Sequence, residues 1–263
     1  SKHYSEEGKT TQAKVPGGDG VGLLPDGTRV YALGLTGMMA EKAVVDKSRI
    51  IVLPEGIDNI TAAALPNGIA GSAMALRFRA KMKEGETVLI NGATGFTGTI
   101  AVQISKHYGA GKIIVTGRNE QTLQSLLALG ADEILSLKQE GQDFVSQIRA
   151  IHKNTPIDII LDYLWGHSTE LILEGLKGKG SFSHRTRFVS IGSIADDKIQ
   201  LSSQILRSVD LQLTGSGLGS WTKGEIEQLL TEIIPEIFQL AVTQRLKVVT
   251  KTIALKYVQK LWA

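Results

Sequence analysis

The stretch Glu86 to Gly98, ETVLINGATGFTG, places glycines at Gly92, Gly95 and Gly98 directly behind a short apolar run, Val88, Leu89 and Ile90. An apolar segment with helical spacing follows, through Ile100, Ile104 and Tyr108. A strand that breaks into a glycine turn and restarts as a helix leaves backbone N–H groups free. It also aims the positive end of a helix dipole at one spot, where a phosphate can sit. The stretch therefore reads as a site for the pyrophosphate of a dinucleotide. Gly92 makes the turn, with Thr94 inside it. Gly95 admits the pyrophosphate against the N–H groups of Phe96 and Thr97, and Gly98 lets the helix pack on the strand. The same glycines also suit a tight turn that binds nothing.

A dinucleotide is read at its adenosine end as well, beside the end of the second strand, where an acidic side chain accepts both ribose hydroxyls of NAD. Here the sequence is IIVTGRNE: Gly117 and Arg118 occupy the place of that carboxylate, Asn119 is next, and Glu120 lies further into the following helix. This favours NADP(H), with the planar fork of Arg118 on the 2′-phosphate. An Arg simply exposed in a loop is the other reading. Ligands in such sheets bind outside the carboxyl ends of the strands, which nominates Asp162 and Tyr163, Gly192 and Ser193, and Ser216 and Gly217 for the cofactor, unless they are ordinary turn residues. Tyr163 is also a candidate catalytic hydroxyl. Asn67 and Trp165 are candidates for a substrate pocket with Tyr163, and a core role for Trp165 stays open.

Rival motifs are weaker. Tyr108 to Lys112, YGAGK, has the Tyr-x-x-x-Lys spacing of a proton-transfer pair but falls at the sheet end away from the phosphates. His3, His107, His152, His167 and His184 show no metal-ligand spacing, and there is no cysteine to help them. GSGLGS fits a nucleophile elbow only loosely and has no good partner His.

The elements that must position these residues alternate. Strand candidates are Val88 to Asn91, Ile113 to Thr116, Glu133 to Leu137, Ile157 to Asp162, Phe188 to Gly192 and Leu211 to Thr214, separated by helical stretches. The strands are continuously apolar, as when helices cover both faces. The fold class is α/β, a Rossmann-type doubly wound parallel sheet. Before it, the Gly- and Pro-rich segment from Val15 predicts short strands at Val21 to Leu24, Arg29 to Leu33, Ala43 to Val45 and Ile50 to Leu53. TAAALPNGIAGSAMALR reads as a helix interrupted at Pro66. After Gly219 a long amphipathic helix from Lys223 to about Thr243 bends at Pro235, followed by a strand-like VVTKTIAL and a short helix.

The 263 residues, 42% hydrophobic, suffice for a core of one large or two ordinary domains. With 29 basic and 26 acidic residues, the net charge of +3 is small and scattered, which argues against nucleic acid. The uncharged stretches Thr61 to Leu76, which holds Pro66, Gly68 and Gly71, and Thr87 to Ser105, which is the glycine turn itself with Asn91 and several threonines, do not read as membrane spans. Without a signal peptide the expected location is cytoplasmic.

With these residues in hand, the chain resembles the medium-chain dehydrogenase/reductase superfamily, in its zinc-free quinone oxidoreductase-like branch. The matching pieces are PGGDGVG, DGTRVYALG, MAEKAVV, AAALPNGIAGSAMALR, GETVLINGATGFTGTIAVQISKHYGAGKIIVTGRN, LGADEIL, DIILDYLWG, RFVSIGSI and LTGSGLGS, in order along most of the chain. The resemblance implies a GroES-like β-rich substrate domain, partly missing here, over residues 1–62. It implies a Rossmann NADP-binding domain over 63–220, a helix and return into the substrate domain over 221–263, and an active site in the cleft between the domains. Zinc-bearing relatives use cysteines that this chain lacks. Tyr4, in SKHYSE, stands where relatives place a Tyr near the nicotinamide, making it a candidate wall or proton donor. The implied partners are a small-molecule quinone or enone acceptor and a second copy, in a homodimer joined through the edge strand Leu211 to Gly215.

The function that follows is NADPH-dependent hydride transfer to a quinone or α,β-unsaturated carbonyl without zinc, by positioning rather than by a strong protein acid. The alternative is a non-catalytic NADPH-binding redox sensor or structural protein.

Overall fold

The computed structural model describes residues 14–178 and 184–261. They divide into two compact units, one made by the chain up to Leu65 together with Leu230 onward, the other by Pro66–Leu229.

The first unit holds a three-stranded antiparallel sheet in the order β1-β2-β3, with β1 at Asp19–Leu23, β2 at Arg29–Gly34 and β3 at Val45–Val52. The central strand β2 buries Val30, Tyr31 and Ala32. Tyr31 meets Phe238 edge-on, with ring centroids 6.1 Å apart, and its hydroxyl donates to Asp19 at 2.8 Å. Phe238 belongs to helix α8, Ile234–Val242. Two expected strands, Ala43 to Val45 and Ile50 to Leu53, are one. The polar DKSR between them runs through β3 with Lys47, Ser48 and Arg49 exposed, and among the described residues β3 pairs with β2 alone. VVTKTIAL is not a strand: Val249 is 95% exposed and residues 248–254 have no regular structure. A β-branched run makes a strand only where a ladder partner is available.

The second unit is built on six parallel strands in the order β6-β5-β4-β7-β8-β9. They are β4 Thr87–Asn91, β5 Lys112–Gly117, β6 Glu133–Ser136, β7 Ile159–Asp162, β8 Thr186–Ser190 and β9 Leu211–Gly215. The chain winds outward from β4 to β6, then returns past β4 to lay down β7, β8 and β9. This is the doubly wound arrangement, with its switch point between β4 and β7. Helices α2 Phe96–His107, α3 Glu120–Leu127, α4 Gly141–Asn154, α5 Gly166–Leu176 and α6 Ser203–Ser208 make the connections. The core cluster joins Leu89, Ile114, Ile160 and Phe188 of the strands to Phe144, Ile148 and Ile172 of α4 and α5. Every residue of β4 and of β7 is buried, as continuously apolar strands require.

Pro66 does not interrupt its helix. Helix α1 runs Asn59–Met74 through it and continues as a π-helical turn, Ala75–Arg79. Another π turn, Leu229–Ile233, separates α7 Lys223–Gln228 from α8. Pro235 is the second residue of α8, directly after this π turn. Among the described residues no helix is long and apolar enough to cross a membrane.

Candidate functional site

Parallel pairing brings the carboxyl ends of the strands level. Asn91 is opposite Asp162, Asp162 opposite Ser190, and Ser190 opposite Gly215, while Gly117 pairs with Ser136. The strand-end candidates of the second unit therefore sit along one edge of the sheet. The YGAGK motif lies at the other edge, where Lys112 opens β5 and pairs with Glu133 at 2.7 Å.

At the β4–α2 turn, Gly92 has φ +87, and a Cβ there would stand 2.7 Å from Leu164 Cγ. The turn thus needs glycine for both conformation and space. The amides of Gly92 and Ala93 are taken by β5, donating to Thr116 Oγ1 at 3.1 Å and to Thr116 O at 2.9 Å. Further on, Gly95 is exposed in an extended conformation, with open space where a side chain would be. Phe96 and Thr97 are exposed. The amides of Phe96, Thr97 and Gly98 stand at the start of α2, ahead of any intrahelical acceptor. A Cβ on Gly98 would come within 2.5 Å of Ala93 Cα, so the helix start is pressed against the turn. An anion fits this place on two counts, the free donors and the helix dipole.

Thr94 packs its methyl over Gly117, leaving no room there for a side chain. Arg118 follows directly, exposed, with no hydrogen bond or ion pair to any described residue. The Asn119 side chain is committed to the fold: it caps α3 by accepting from Thr122 N at 2.9 Å.

The loop after β7 departs from expectation. Asp162, expected to face the cofactor, is 0% exposed. Its carboxylate accepts from Asn91 Nδ2 at 2.8 Å, Leu164 N at 3.0 Å, Trp165 N at 3.1 Å and Thr169 Oγ1 at 2.7 Å. Burial leaves its carboxyl pKa raised, the donors from Thr169, Leu164, Asn91 and Trp165 offsetting only part of that cost. The Tyr163 hydroxyl is likewise buried, beside Ser72, and desolvation raises its pKa. It faces protein, not the open space that a proton donor to substrate needs. The Trp165 ring packs edge-on against Phe188, centroids 6.1 Å apart, on the core cluster, which is its core role rather than a pocket wall.

Gly192 donates to Asp162 O at 3.1 Å and lies so close to Tyr163 O that a Cβ would be 2.9 Å from it. Ser193 is half-buried beside it. Ser216 is buried, its amide bonded to Ser190 O at 2.8 Å and its hydroxyl accepting from Trp221 Nε1 at 3.0 Å. Gly217 is exposed, and its amide donates to Ser220 Oγ at 3.0 Å. Asn67 is exposed on α1, next to Gly68, which is pressed against Phe96 and Ile100 of α2. Tyr4 lies outside the described residues.

Sequence reasoning missed Asn91, Thr116 and Thr169, all 0% exposed and joined to Asp162 through hydrogen bonds. A signal was present: polar residues ending otherwise apolar strands must find partners inside. Among the described residues no group of three or more His, Asp or Glu side chains is placed to hold a metal ion.

The sheet order and the glycine turn define a Rossmann-type α/β domain, accompanied in this chain by a small antiparallel sheet. Residues 97–234 match the family described as zinc-binding dehydrogenase. Over 213 residues the chain is 29% identical to quinone oxidoreductase of Sus scrofa, covering 81% of this chain and 61% of that protein. Over 239 residues it is 30% identical to the pikromycin polyketide synthase component PikAII of Streptomyces venezuelae, covering 89% of this chain and 6% of that protein. The crystal structure of Escherichia coli quinone oxidoreductase complexed with NADPH superposes with a TM-score of 0.75 at 23% identity, over 93% of this chain and 76% of that one. The chain belongs to the zinc-binding dehydrogenase family, within the medium-chain dehydrogenase/reductase superfamily and its quinone oxidoreductase-like branch. It spans less than two thirds of the length of the curated relatives named here.

Proposed function

We propose that the chain is the NADP(H)-binding part of an oxidoreductase that passes hydride from NADPH to a quinone or α,β-unsaturated carbonyl, without zinc. The observation that carries this reading is Arg118, an exposed guanidinium free of protein partners among the described residues, held beside the glycine turn by the contact of Thr94 with Gly117. A free cation there suits a 2′-phosphate, and the open helix start suits a pyrophosphate. The Escherichia coli relative was crystallised in complex with NADPH, which supports the same choice.

When bound, NADPH supplies the hydride. The chain's own residues do the positioning. Phe96 and Thr97 N–H hold the pyrophosphate, Arg118 holds the 2′-phosphate, and the loops after β7, β8 and β9 wall the nicotinamide end. Asn67 borders the acceptor, and Tyr4 is a further candidate there. A quinone collects its protons from water, and an enolate needs only water or a nearby hydroxyl, so neither acceptor demands a Lewis acid. Two copies pair through β9, an edge strand whose residues 212–215 are exposed.

The test is to mix the purified protein with NADPH and a panel of quinones and enones, and to follow the nicotinamide absorbance. Acceptor-dependent oxidation is expected. Tight NADPH binding with no oxidation by any acceptor would leave the redox-sensor reading in its place.

A further inference from the structure

Beneath the glycine turn, four side chains with no solvent exposure form one continuous polar chain. Thr116 Oγ1 accepts from Gly92 N at 3.1 Å and donates to Asn91 Oδ1 at 2.6 Å. That bond orients the Asn91 amide, so its Nδ2 donates to Asp162 Oδ1 at 2.8 Å and to Ser168 Oγ at 3.0 Å. Thr169 donates to Asp162 Oδ2 at 2.7 Å from the first turn of α5. Asp162 thus meets donors only: an amide, a hydroxyl and the backbone N–H groups of Leu164 and Trp165. Such a set is complementary to an ionised carboxylate and to no neutral side chain of its size.

The backbone that this carboxylate gathers is the backbone that faces the sheet edge. Ala195 N donates to Leu164 O at 2.9 Å, and Ile191 N and Gly192 N donate to Asp162 O at 2.8 and 3.1 Å. The loop after β8 therefore hangs on the loop after β7, which hangs on Asp162. The Leu164 side chain in turn abuts Gly92. A buried carboxylate with no cation beside it is costly to keep where an apolar side chain would fill the space. What it provides is a fixed geometry for two loops.

We propose that Asp162 is a positioning residue for the nicotinamide end of the site, holding the loops after β7 and β8 in register with the glycine turn without touching ligand itself. This rests on the NADP(H) reading above. It separates the two ends of the cofactor, because the adenosine end depends on Arg118 and the α2 start, and the nicotinamide end depends on the loops that Asp162 gathers.

The experiment compares NADPH with 2′,5′-ADP, which carries the 2′-phosphate and lacks the nicotinamide, on the unaltered protein and on Asp162→Asn, Thr169→Val and Thr169→Ser. Removing a hydrogen bond to a charged group should weaken NADPH binding about tenfold in Asp162→Asn and Thr169→Val, leaving 2′,5′-ADP within about twofold. Thr169→Ser, which restores the hydroxyl, should regain NADPH affinity. Equal loss of both ligands, or a lowered melting temperature with the affinity ratio unchanged, would reduce Asp162 to a stabilising role and overturn the proposal. If Asp162→Asn does not fold, the two Thr169 variants decide between these outcomes by themselves. An unaltered protein that binds neither ligand would overturn the cofactor reading, and the positioning role with it.

Discussion

The Arg79 guanidinium forks the Glu225 carboxylate, with Nη1 donating to Oε1 at 2.7 Å and Nη2 to Oε2 at 3.0 Å. Nη2 also donates to Ser220 O at 2.7 Å. Glu225 closes the start of α7 as well: Oε2 accepts from Thr222 N at 2.8 Å, and Glu225 N donates to Thr222 Oγ1 at 3.2 Å. One carboxylate thus caps a helix and receives the cation at the end of the π turn after α1. The segment after β9 that carries Ser216 and Gly217 leads into this clamp. The clamp leaves both side chains only 17% and 16% exposed.

This pair predicts an acid limb in stability. Arg79 holds the Glu225 carboxyl down from the usual 4.5 to about 2, chiefly through its hydrogen bonds. A carboxyl whose pKa falls on folding contributes its full stabilisation above its unfolded value, and that contribution is lost as pH drops toward the folded value. Stability should therefore decline between about pH 4.5 and about pH 2, with part of that slope due to Glu225. In Glu225→Gln, urea midpoints measured across this range should start lower at neutral pH and fall less steeply. Parallel curves for the two proteins would show that the pair contributes nothing.

A second expectation concerns Arg118 and separates two cofactors. Arg118→Ala should weaken NADPH binding by roughly 1.5–3 kcal/mol, the range for a hydrogen bond to a charged group, and leave NADH nearly unchanged. Fluorescence titration of both cofactors checks it. Equal weakening of the two would place the 2′-phosphate elsewhere.

Most of the sheet was legible because its strands are short apolar runs punctuated by glycines, and that pattern has one economical solution. Val88 to Asn91 and Leu211 to Thr214 fall within a residue of the observed strands. The turn was legible for the same reason: its chemistry is backbone chemistry, set by where side chains are missing. What could not be read was the direction in which a polar side chain at a strand end points. Asp162 ends one strand and Arg118 follows another, yet the first turns inward onto Leu164, Trp165 and Thr169 while the second faces out. That choice depends on donors that only the folded chain assembles: Leu164, Trp165 and Thr169 just downstream, and Asn91 on the neighbouring strand β4. VVTKTIAL failed through the same non-locality, since its composition suits a strand and among the described residues no strand pairs with it.

Trp165 gives the last prediction, because its backbone and its ring make opposite demands. Its φ of 57 and ψ of −164 lie in a region that glycine enters freely and other residues enter only under constraint. The constraint is visible in the Asp162 bond to its amide and in the ring packed on Phe188, which is fully buried. Truncation to Ala discards the ring and keeps the strain. Truncation to Gly discards both, at an added entropic cost of about 0.5–1 kcal/mol against relief of about 1–3 kcal/mol. Both variants should be destabilised, Trp165→Ala by about 3 kcal/mol for loss of a core aromatic. Trp165→Gly should nonetheless be the more stable of the two, by roughly 1 kcal/mol, the reverse of the usual order. Denaturant unfolding of the pair measures the difference directly. Ala more stable than Gly would mean that the backbone at Trp165 relaxes once the ring is gone, so that the packing on Phe188 alone had imposed it.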